Sequence, residues 1–405
     1  MKGAHITPIV KGEGVFLIDE NGRKYIDAVS SWWVKIHGHS HPYIGQKLEQ
    51  QFSELDHIIF AGLTHPKAVE LAKRLVDNMP PEINKVFYSD NGSTANEIAL
   101  KMALQFWHNQ GVAKTKLVAF EGAYHGDTFG GMSVSARSTF SLPFSHHLFD
   151  TLYIPVPTEE NIAVVLREFE AILSGGQVAA FIYEPLVQGV RGMVMHEADH
   201  LSQLLKLAKK YQALCIADEV MTGFGRTGTL FASDQIEMKP DIITLSKALT
   251  AGVMPLAVTA CTDSMYNGFY SDERSKAFLH GHSFTGNALA CAVACANLDL
   301  LESAEVQEDL TRLAGLQKEF RAEISGHPKV IEARQLGAIL AIELSTTENS
   351  GYYSDLGIKA YVYFLECGII MRPLGNVLIV MPPYCIKEED MAYVYEQIRS
   401  FIGEL

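Results

Sequence analysis

Two apolar runs in this chain stop abruptly on charged residues. Ala213 to Ala217 is followed by Asp218-Glu219, and Asp241 to Leu245 by Ser246-Lys247. Runs this short and apolar read as buried strands. In open α/β sheets, ligands bind outside the carboxyl ends of strands. A carboxylate and an amine standing there would face one ligand from two sides. The amine can form a Schiff base with a carbonyl carbon. The carboxylate can keep a pyridine nitrogen protonated, so that the ring withdraws electrons. Pyridoxal phosphate chemistry needs both. A strand-end acid or lysine taken alone is more often a solvated loop residue or half of a structural ion pair, so the neighbouring residues decide.

Those neighbours are specific. Asp218-Glu-Val-Met-Thr-Gly-Phe-Gly-Arg-Thr-Gly228 is followed by Ser246-Lys-Ala-Leu249. The combination resembles the subgroup III aminotransferases, which are fold-type I pyridoxal phosphate enzymes, and the resemblance runs over essentially the whole chain. It implies an α/β fold with a large domain around a mostly parallel seven-stranded sheet and a smaller α/β domain. It implies pyridoxal 5'-phosphate as cofactor, Lys247 as its covalent anchor and proton carrier, and Asp218 as the partner of its ring nitrogen. Gly223 to Gly228 also matches the dinucleotide pattern G-x-G-x-x-G, but the glycines open no clear helix and no acidic strand end follows at the expected distance. The segment reads instead as a tight loop carrying Arg226, which the resemblance puts at the edge of the active site and in contact with substrate.

The elements that must position this chemistry follow from periodicity. Lys85 to Asp90 reads as a strand feeding Asn91-Gly-Ser-Thr94 and then a helix with Ala95, Ile98, Ala99, Met102, Ala103 and Phe106 on one face. Free N–H groups and the helix dipole at such an N-terminus attract an anion. Gly92 and Ser93 are therefore the expected phosphate ligands, with an ordinary N-cap the equal alternative on local sequence; the matching Gly-Ser of the family holds the cofactor phosphate. Lys116 to Glu121 reads as a strand that ends before Tyr124, an aromatic residue able to stack on a flat ring. In the family the matching tyrosine covers the pyridine ring near the substrate, and His125 and Asp127 support its loop. Val178 to Pro185 reads as a buried strand carrying Glu184, which the resemblance assigns to ordering the site. Met254 to Cys261 reads as a strand at the antiparallel edge of the sheet. Gly281, His282 and Ser283 precede an alanine-rich helix; by resemblance they reach across a homodimer interface, Ser283 bonding the phosphate of the neighbour's cofactor, with His282 beside it and Gly281 near substrate.

The two ends of the chain read differently. Residues 1–29 suggest a short β meander with a hairpin signal at Glu20-Asn21-Gly22. Adjacent Trp32 and Trp33 cannot both enter one half-buried face, so at least one is expected to line a concave site. His37, His39 and His41 lack an acidic or cysteine partner nearby and read as loop and turn residues. After residue 300, helices alternate with short strands. Arg372, expected on a strand facing a cleft, would bind a carboxylate bidentately. Ser-Ser-Trp-Trp with His-Gly-His-Ser-His-Pro42, and Arg372-Pro-Leu-Gly-Asn376 with Met381-Pro-Pro-Tyr384, resemble the biotin-pathway branch of the family. That branch implies 8-amino-7-oxononanoate as amino acceptor and S-adenosylmethionine as donor, with Trp32, Tyr124 and Arg372 on the substrate. Lysine as donor, or an ω-amino acid or ornithine type of aminotransferase, are the alternatives. The family also carries an upstream His-Pro-Tyr-Thr segment whose tyrosine lines the pocket. No match stands in this sequence, so that wall is expected to be missing.

Composition sets the outer bounds. The 405 residues include 33 Lys and Arg against 47 Asp and Glu, a formal charge of −14 that disfavours non-specific nucleic-acid binding. No apolar run has the length of a membrane span, and no signal peptide opens the chain. Six scattered cysteines suit a reduced cytoplasmic protein and complete no metal set. The domain expectation is a small-domain segment over 1–45, a cofactor domain over 46–298 and the rest of the small domain over 299–405.

Overall fold

A computed structural model describes residues 6–346 and 354–405. The part of the expected meander that falls on 1–5 lies outside the described residues. The chain divides into two compact units, Gln51–Cys295 and Met1–Gln50 with Ala296–Leu405.

The first unit is built on a seven-stranded sheet. Across it the strands run Ile83–Ser89, Ala257–Thr262, Ile242–Leu245, Leu214–Asp218, Val178–Tyr183, Lys116–Phe120 and Leu152–Ile154. Ala257–Thr262 pairs antiparallel with both of its neighbours, and the other pairings are parallel. This strand is therefore second from the border, not at the edge; Ile83–Ser89 covers it. The central strands are apolar on both faces: Ala180, Phe181, Ile182, Cys215, Ile216, Ala217, Ile242 and Ile243 have no accessible surface. A strand packed on both sides shows no alternation, and the sequence runs here are continuous for that reason. The helix Gly92–Asn109 packs Ile98, Ala99, Met102 and Ala103 against this core, and Trp107 donates its indole N–H to the Ala179 carbonyl at 3.0 Å.

Register fixes where the chemistry emerges. Asp218, the last residue of its strand, pairs with Thr244 of the neighbouring strand. Ser246 and Lys247 follow that strand directly, so both charged residues leave the sheet at one carboxyl edge, as ligand-binding α/β sheets require.

The second unit holds two smaller sheets. One orders Ile9–Glu13, Phe16–Asp19, Lys24–Asp27 and Ile369–Ile370, with the hairpin at Glu20–Gly22 as expected. The other is antiparallel, Val330–Leu336, Ile339–Leu344 and Val377–Val380. The helices Ala304–Ile324, Asp355–Glu366 and Glu388–Glu404 complete it. Among the described residues no helix is long and apolar enough to cross a membrane, and no group of three or more His, Cys, Asp or Glu is placed to hold a metal ion.

Candidate active site

Asp218 is the fixed point. Its side chain is buried, yet its carboxylate is fully engaged. Oδ2 accepts from Asn96 Nδ2 at 2.7 Å and meets His125 Nδ1 at 2.8 Å. Oδ1 accepts from the Val220 N–H at 3.1 Å. Asn96 is held in turn: its Nδ2 also donates to the His125 carbonyl at 2.9 Å, and its Oδ1 accepts from the Thr244 hydroxyl at 2.8 Å. A buried carboxylate bonded this densely is fixed in direction. Asn96 and Thr244 escaped the sequence reading. The available signal was a single Asn inside an otherwise apolar helix face, since a buried amide needs partners.

Lys247 opens a single 3-10 turn, Lys247–Thr250, with φ of 42°. A lysine in the left-handed region departs from the usual backbone and marks a constrained position. Burial lowers its amine to about 8, opposed by the carboxylates of Asp218 and Glu184 and reinforced by the charge of Arg226. An amine in that range carries a far larger neutral fraction at pH 7 than an ordinary lysine, about one molecule in ten, and that fraction can attack a carbonyl or carry a proton. Arg226 has no accessible surface. Its loop is tied by Glu219, also fully buried, which accepts from the Ser233 N–H at 2.7 Å, the Ala232 N–H at 3.1 Å and the Thr222 hydroxyl at 2.5 Å. Burial raises the carboxyl of Glu219.

Glu184 links the lysine region to Tyr124. Its two oxygens accept from the N–H groups of Tyr124 at 3.1 Å and Gly189 at 2.8 Å. Burial pushes it up to about 7, with Asp218 acting in the same direction and His125 against it. The Tyr124 ring is half-buried and lines a cavity of about 210 Å³ together with Asp127, Ser135, Phe140 and Arg191. Burial, then Asp127, raises its phenol above the usual tyrosine range, so it stays a neutral hydroxyl.

The expected helix start forms at Gly92. Asn91 caps the helix Gly92–Asn109 with a reciprocal box: its Oδ1 accepts from the Thr94 N–H at 3.0 Å, and Thr94 Oγ1 accepts from the Asn91 N–H at 3.2 Å. That leaves the first N–H groups, at Gly92 and Ser93, pointing out of the helix end. The Asp127 N–H donates to Ser93 Oγ at 3.3 Å. Gly126 must be glycine here, because its φ is +115° and a Cβ would stand 2.2 Å from Ser93 Oγ. A helix N-terminus, a fixed carboxylate and a buried lysine amine of lowered basicity within one unit are the donor set that pyridoxal phosphate needs, and the residues fit that group. Gly281, His282 and Ser283 lie in an irregular segment before the helix Ala288–Leu301; Gly281 and Ser283 are exposed, and the His282 N–H donates to Thr285 Oγ1 at 3.1 Å.

In the other unit the tryptophan pair splits. Trp33 is buried and Trp32 is 49% exposed. The guanidinium carbon of Arg372 lies 4.7 Å from the Trp32 ring centroid. Arg372 is not on a strand, contrary to the sequence expectation; it sits between Ile369–Ile370 and Val377–Val380. Pro373 explains this, since proline removes an N–H and restricts the residue before it. Ser30, Ser31, Trp32 and Trp33 all have positive φ, 49°, 46°, 72° and 71°. Each such residue costs roughly 1–2 kcal/mol of backbone strain, and nothing in the sequence announced a left-handed turn without glycine. His39 is more than a turn residue: its Nε2 meets the buried Asp27 carboxylate at 2.9 Å.

Residues 2–402 match the profile of the family described as Aminotransferase class-III. The chain is a class-III aminotransferase. It is thus a fold-type I, pyridoxal-phosphate-dependent transferase, as its sheet implies. Among curated relatives it is 44% identical to the adenosylmethionine-8-amino-7-oxononanoate aminotransferase of Synechococcus elongatus, over 98% of this chain and 95% of that one. It is 40% identical to the enzyme of the same name from Aquifex aeolicus, over 98% and 91%. Among solved structures it is similar to an adenosylmethionine-8-amino-7-oxononanoate aminotransferase from Methanocaldococcus jannaschii, with TM-score 0.94, 36% identity and coverage of 99% and 94%. A Pseudomonas jessenii omega transaminase in complex with PMP gives TM-score 0.93 at 28% identity, over 98% and 92%.

Proposed function

We propose that this aminotransferase converts 8-amino-7-oxononanoate to 7,8-diaminononanoate in biotin biosynthesis, with S-adenosylmethionine as amino donor. The observation that carries the reading is the exposed Arg372 guanidinium set 4.7 Å from the Trp32 ring. A cation for a terminal carboxylate and a flat apolar wall for an alkyl chain suit a long amphiphilic acid. The names of the relatives, at up to 44% identity over nearly the full chain, support the same acceptor and donor.

Bound pyridoxal phosphate supplies the electron sink for the pair left when the donor's C–H bond breaks. The protein does the rest. Gly92 and Ser93 hold the phosphate on their N–H groups. Asp218, clamped by Asn96 and His125, keeps a proton on the ring nitrogen. Tyr124 covers the ring, and Glu184 fixes its backbone. Lys247 anchors the cofactor when no substrate is bound. Once displaced by an incoming amine, it takes the proton from the donor carbon at Nζ and returns it on the other side of the transfer. The second substrate runs the same steps backwards, which gives ping-pong kinetics. Arg226 sits at the margin of this site, and Arg372 with Trp32 seats the acceptor's carboxylate end.

The working assembly in this reading is a cytoplasmic homodimer in which Gly281, His282 and Ser283 serve the partner's site, Ser283 on the phosphate and Gly281 near substrate. Exposed apolar residues around that segment support it: Leu279 is 85%, Phe284 64%, Ile59 63% and Leu63 52% accessible, with His57 and Phe284 rings 5.6 Å apart. Such a patch in one chain marks an interaction surface.

Incubation of cofactor-loaded enzyme with 8-amino-7-oxononanoate and either S-adenosylmethionine or lysine, with products read by mass spectrometry, tests the reading. Diamine formed with S-adenosylmethionine supports it. Diamine formed only with lysine corrects the donor, and no diamine with either sinks the acceptor.

A further inference from the structure

The left-handed turn at Ser30–Trp33 needs something to hold it. Among the described residues it is the only run of consecutive non-glycine residues with positive φ. A single such residue is uncommon, and the strain persists only where surrounding contacts over-determine it. Those contacts converge on Asp27, whose side chain has no accessible surface. Its Oδ1 accepts from the Ser31 N–H at 2.9 Å, and its Oδ2 accepts from the Ser31 hydroxyl at 2.7 Å. A second tie comes from Ser30, whose hydroxyl donates to the Met381 carbonyl at 2.7 Å.

Asp27 is itself locked. His39 Nε2 lies 2.9 Å from its Oδ2. Backbone bonds strap His39 to Gly14 in both directions, at 3.2 and 2.7 Å. Gly12 lets the imidazole in, since a Cβ there would stand 2.7 Å from His39 Cβ. Burial acts to raise the Asp27 carboxyl, but the bonds from His39 and Ser31 outweigh it and hold it below the ordinary range. The charge therefore remains in place to grip the turn.

The end of this chain of contacts is an indole that is half exposed. The ring stands beside the exposed Arg372 guanidinium, 4.7 Å away, and among the described residues no carboxylate pairs with that guanidinium within 4.0 Å. A backbone held under strain to keep an aromatic ring in solvent beside an unneutralised cation is a preformed seat for an anion with an apolar stem.

We propose that Asp27 is the positioning residue of the acceptor seat: it holds the left-handed turn that sets Trp32 against Arg372, so that ring and guanidinium receive the carboxylate end of an alkyl-chain acid without rearrangement. This rests on the acceptor reading given above and deepens it. Asp27 touches no substrate. It acts through Ser31 and the backbone, and its effect falls on binding of the acid end, not on proton transfer.

The test uses the full-length, cofactor-loaded enzyme and nonanoate, a nine-carbon acid with no amine or ketone, as the binding probe in calorimetry. Asp27→Asn keeps the size and loses the charge. It is expected to weaken nonanoate about tenfold and to raise KM for 8-amino-7-oxononanoate by a similar factor, with kcat moved far less. In a Trp32→Phe background, where the indole is already gone, the same substitution should add less than about twofold. Full, additive losses in the double variant overturn the proposal, because Asp27 would then act other than through Trp32. Wild-type enzyme that fails to bind nonanoate overturns it as well. If Asp27→Asn does not fold, Ser31→Ala decides: it removes only the hydroxyl bond, and an unchanged nonanoate affinity refutes the mechanism while a several-fold loss supports it. If wild type binds nonanoate in this Asp27-dependent way but does not turn over 8-amino-7-oxononanoate, the seat stands and the named acceptor falls.

Discussion

The rate at which Lys247 captures its cofactor should respond to pH in a way an ordinary lysine cannot imitate. Burial lowers this amine to about 8 against the opposing charges of Asp218 and Glu184. Only the neutral amine attacks the aldehyde. With an amine near 8, about one molecule in ten is neutral at pH 7 and about nine in ten at pH 9, so capture should speed up about tenfold. With an unperturbed lysine near 10.4, the neutral fraction climbs about a hundredfold over the same interval. The window lies above the second ionisation of a phosphate monoester, about 6, so the charge on the cofactor's phosphate stays constant. The assay is stopped-flow mixing of cofactor-free enzyme with pyridoxal phosphate, following the visible band of the lysine-bound cofactor. A rise near tenfold that levels off above pH 9 supports a desolvated amine. A rise near a hundredfold, with no plateau, refutes it. The stability linkage has a definite sign. A lysine depressed on folding contributes stability present above its unfolded value, and lost as pH falls through about 8. Cofactor-free enzyme should therefore melt at lower temperature at pH 7 than at pH 9, and Lys247→Met should reduce that difference.

Other residues carry separate expectations. Asn96→Leu removes one charge-assisted bond to Asp218 along with the bonds to the His125 carbonyl and from the Thr244 hydroxyl, so urea unfolding should report a loss of about 2–4 kcal/mol; a change below about 1 kcal/mol would show that the amide does not support the carboxylate. Arg372→Ala should raise KM for the acceptor roughly a hundredfold, the scale of a lost charged hydrogen bond of about 3 kcal/mol, and an unchanged KM would place the carboxylate elsewhere. Mixing Lys247→Ala chains with Ser283→Ala chains should yield hybrids with one intact site if Ser283 serves the partner's cofactor. Activity no greater than that of either parent would count against a shared site.

Much of this architecture was legible because buried parallel strands leave an unambiguous trace. Ala213–Ala217 is a continuous apolar run and Asp241–Leu245 carries Ile242, Ile243 and Leu245, and the charged residues that follow had to reach the same sheet edge once the strands paired in parallel. The helix start at Asn91 was equally plain, since Asn, Gly, Ser and Thr in that order supply both a cap and free N–H groups. What escaped depends on contacts distant in sequence. Asn96 looked like one polar interruption of an apolar face until the fold brought Asp218 and Thr244 to it. His39 and Asp27 meet only after the hairpin closes. Ala257–Thr262 read as an edge strand because nothing local says that Ile83–Ser89 lies outside it. The turn at Ser30–Trp33 opposes local backbone preference outright, so propensity could not find it; the side chains of Asp27 and Ser30 help hold it, together with backbone bonds from Trp33 to Val29 and from Val34 to Ser30.

The most direct test of the central claim is a single half-reaction. Enzyme loaded with pyridoxal phosphate is mixed with 7,8-diaminononanoate, and its visible spectrum is followed without any second substrate. The account predicts that the lysine-bound band is replaced by that of the aminated cofactor in wild type. It predicts that Lys247→Ala, loaded in the same way, shows no lysine-bound band and makes no such conversion. Conversion by ornithine or other ω-amines but not by the diamine, or conversion that survives Lys247→Ala at the wild-type rate, would contradict it.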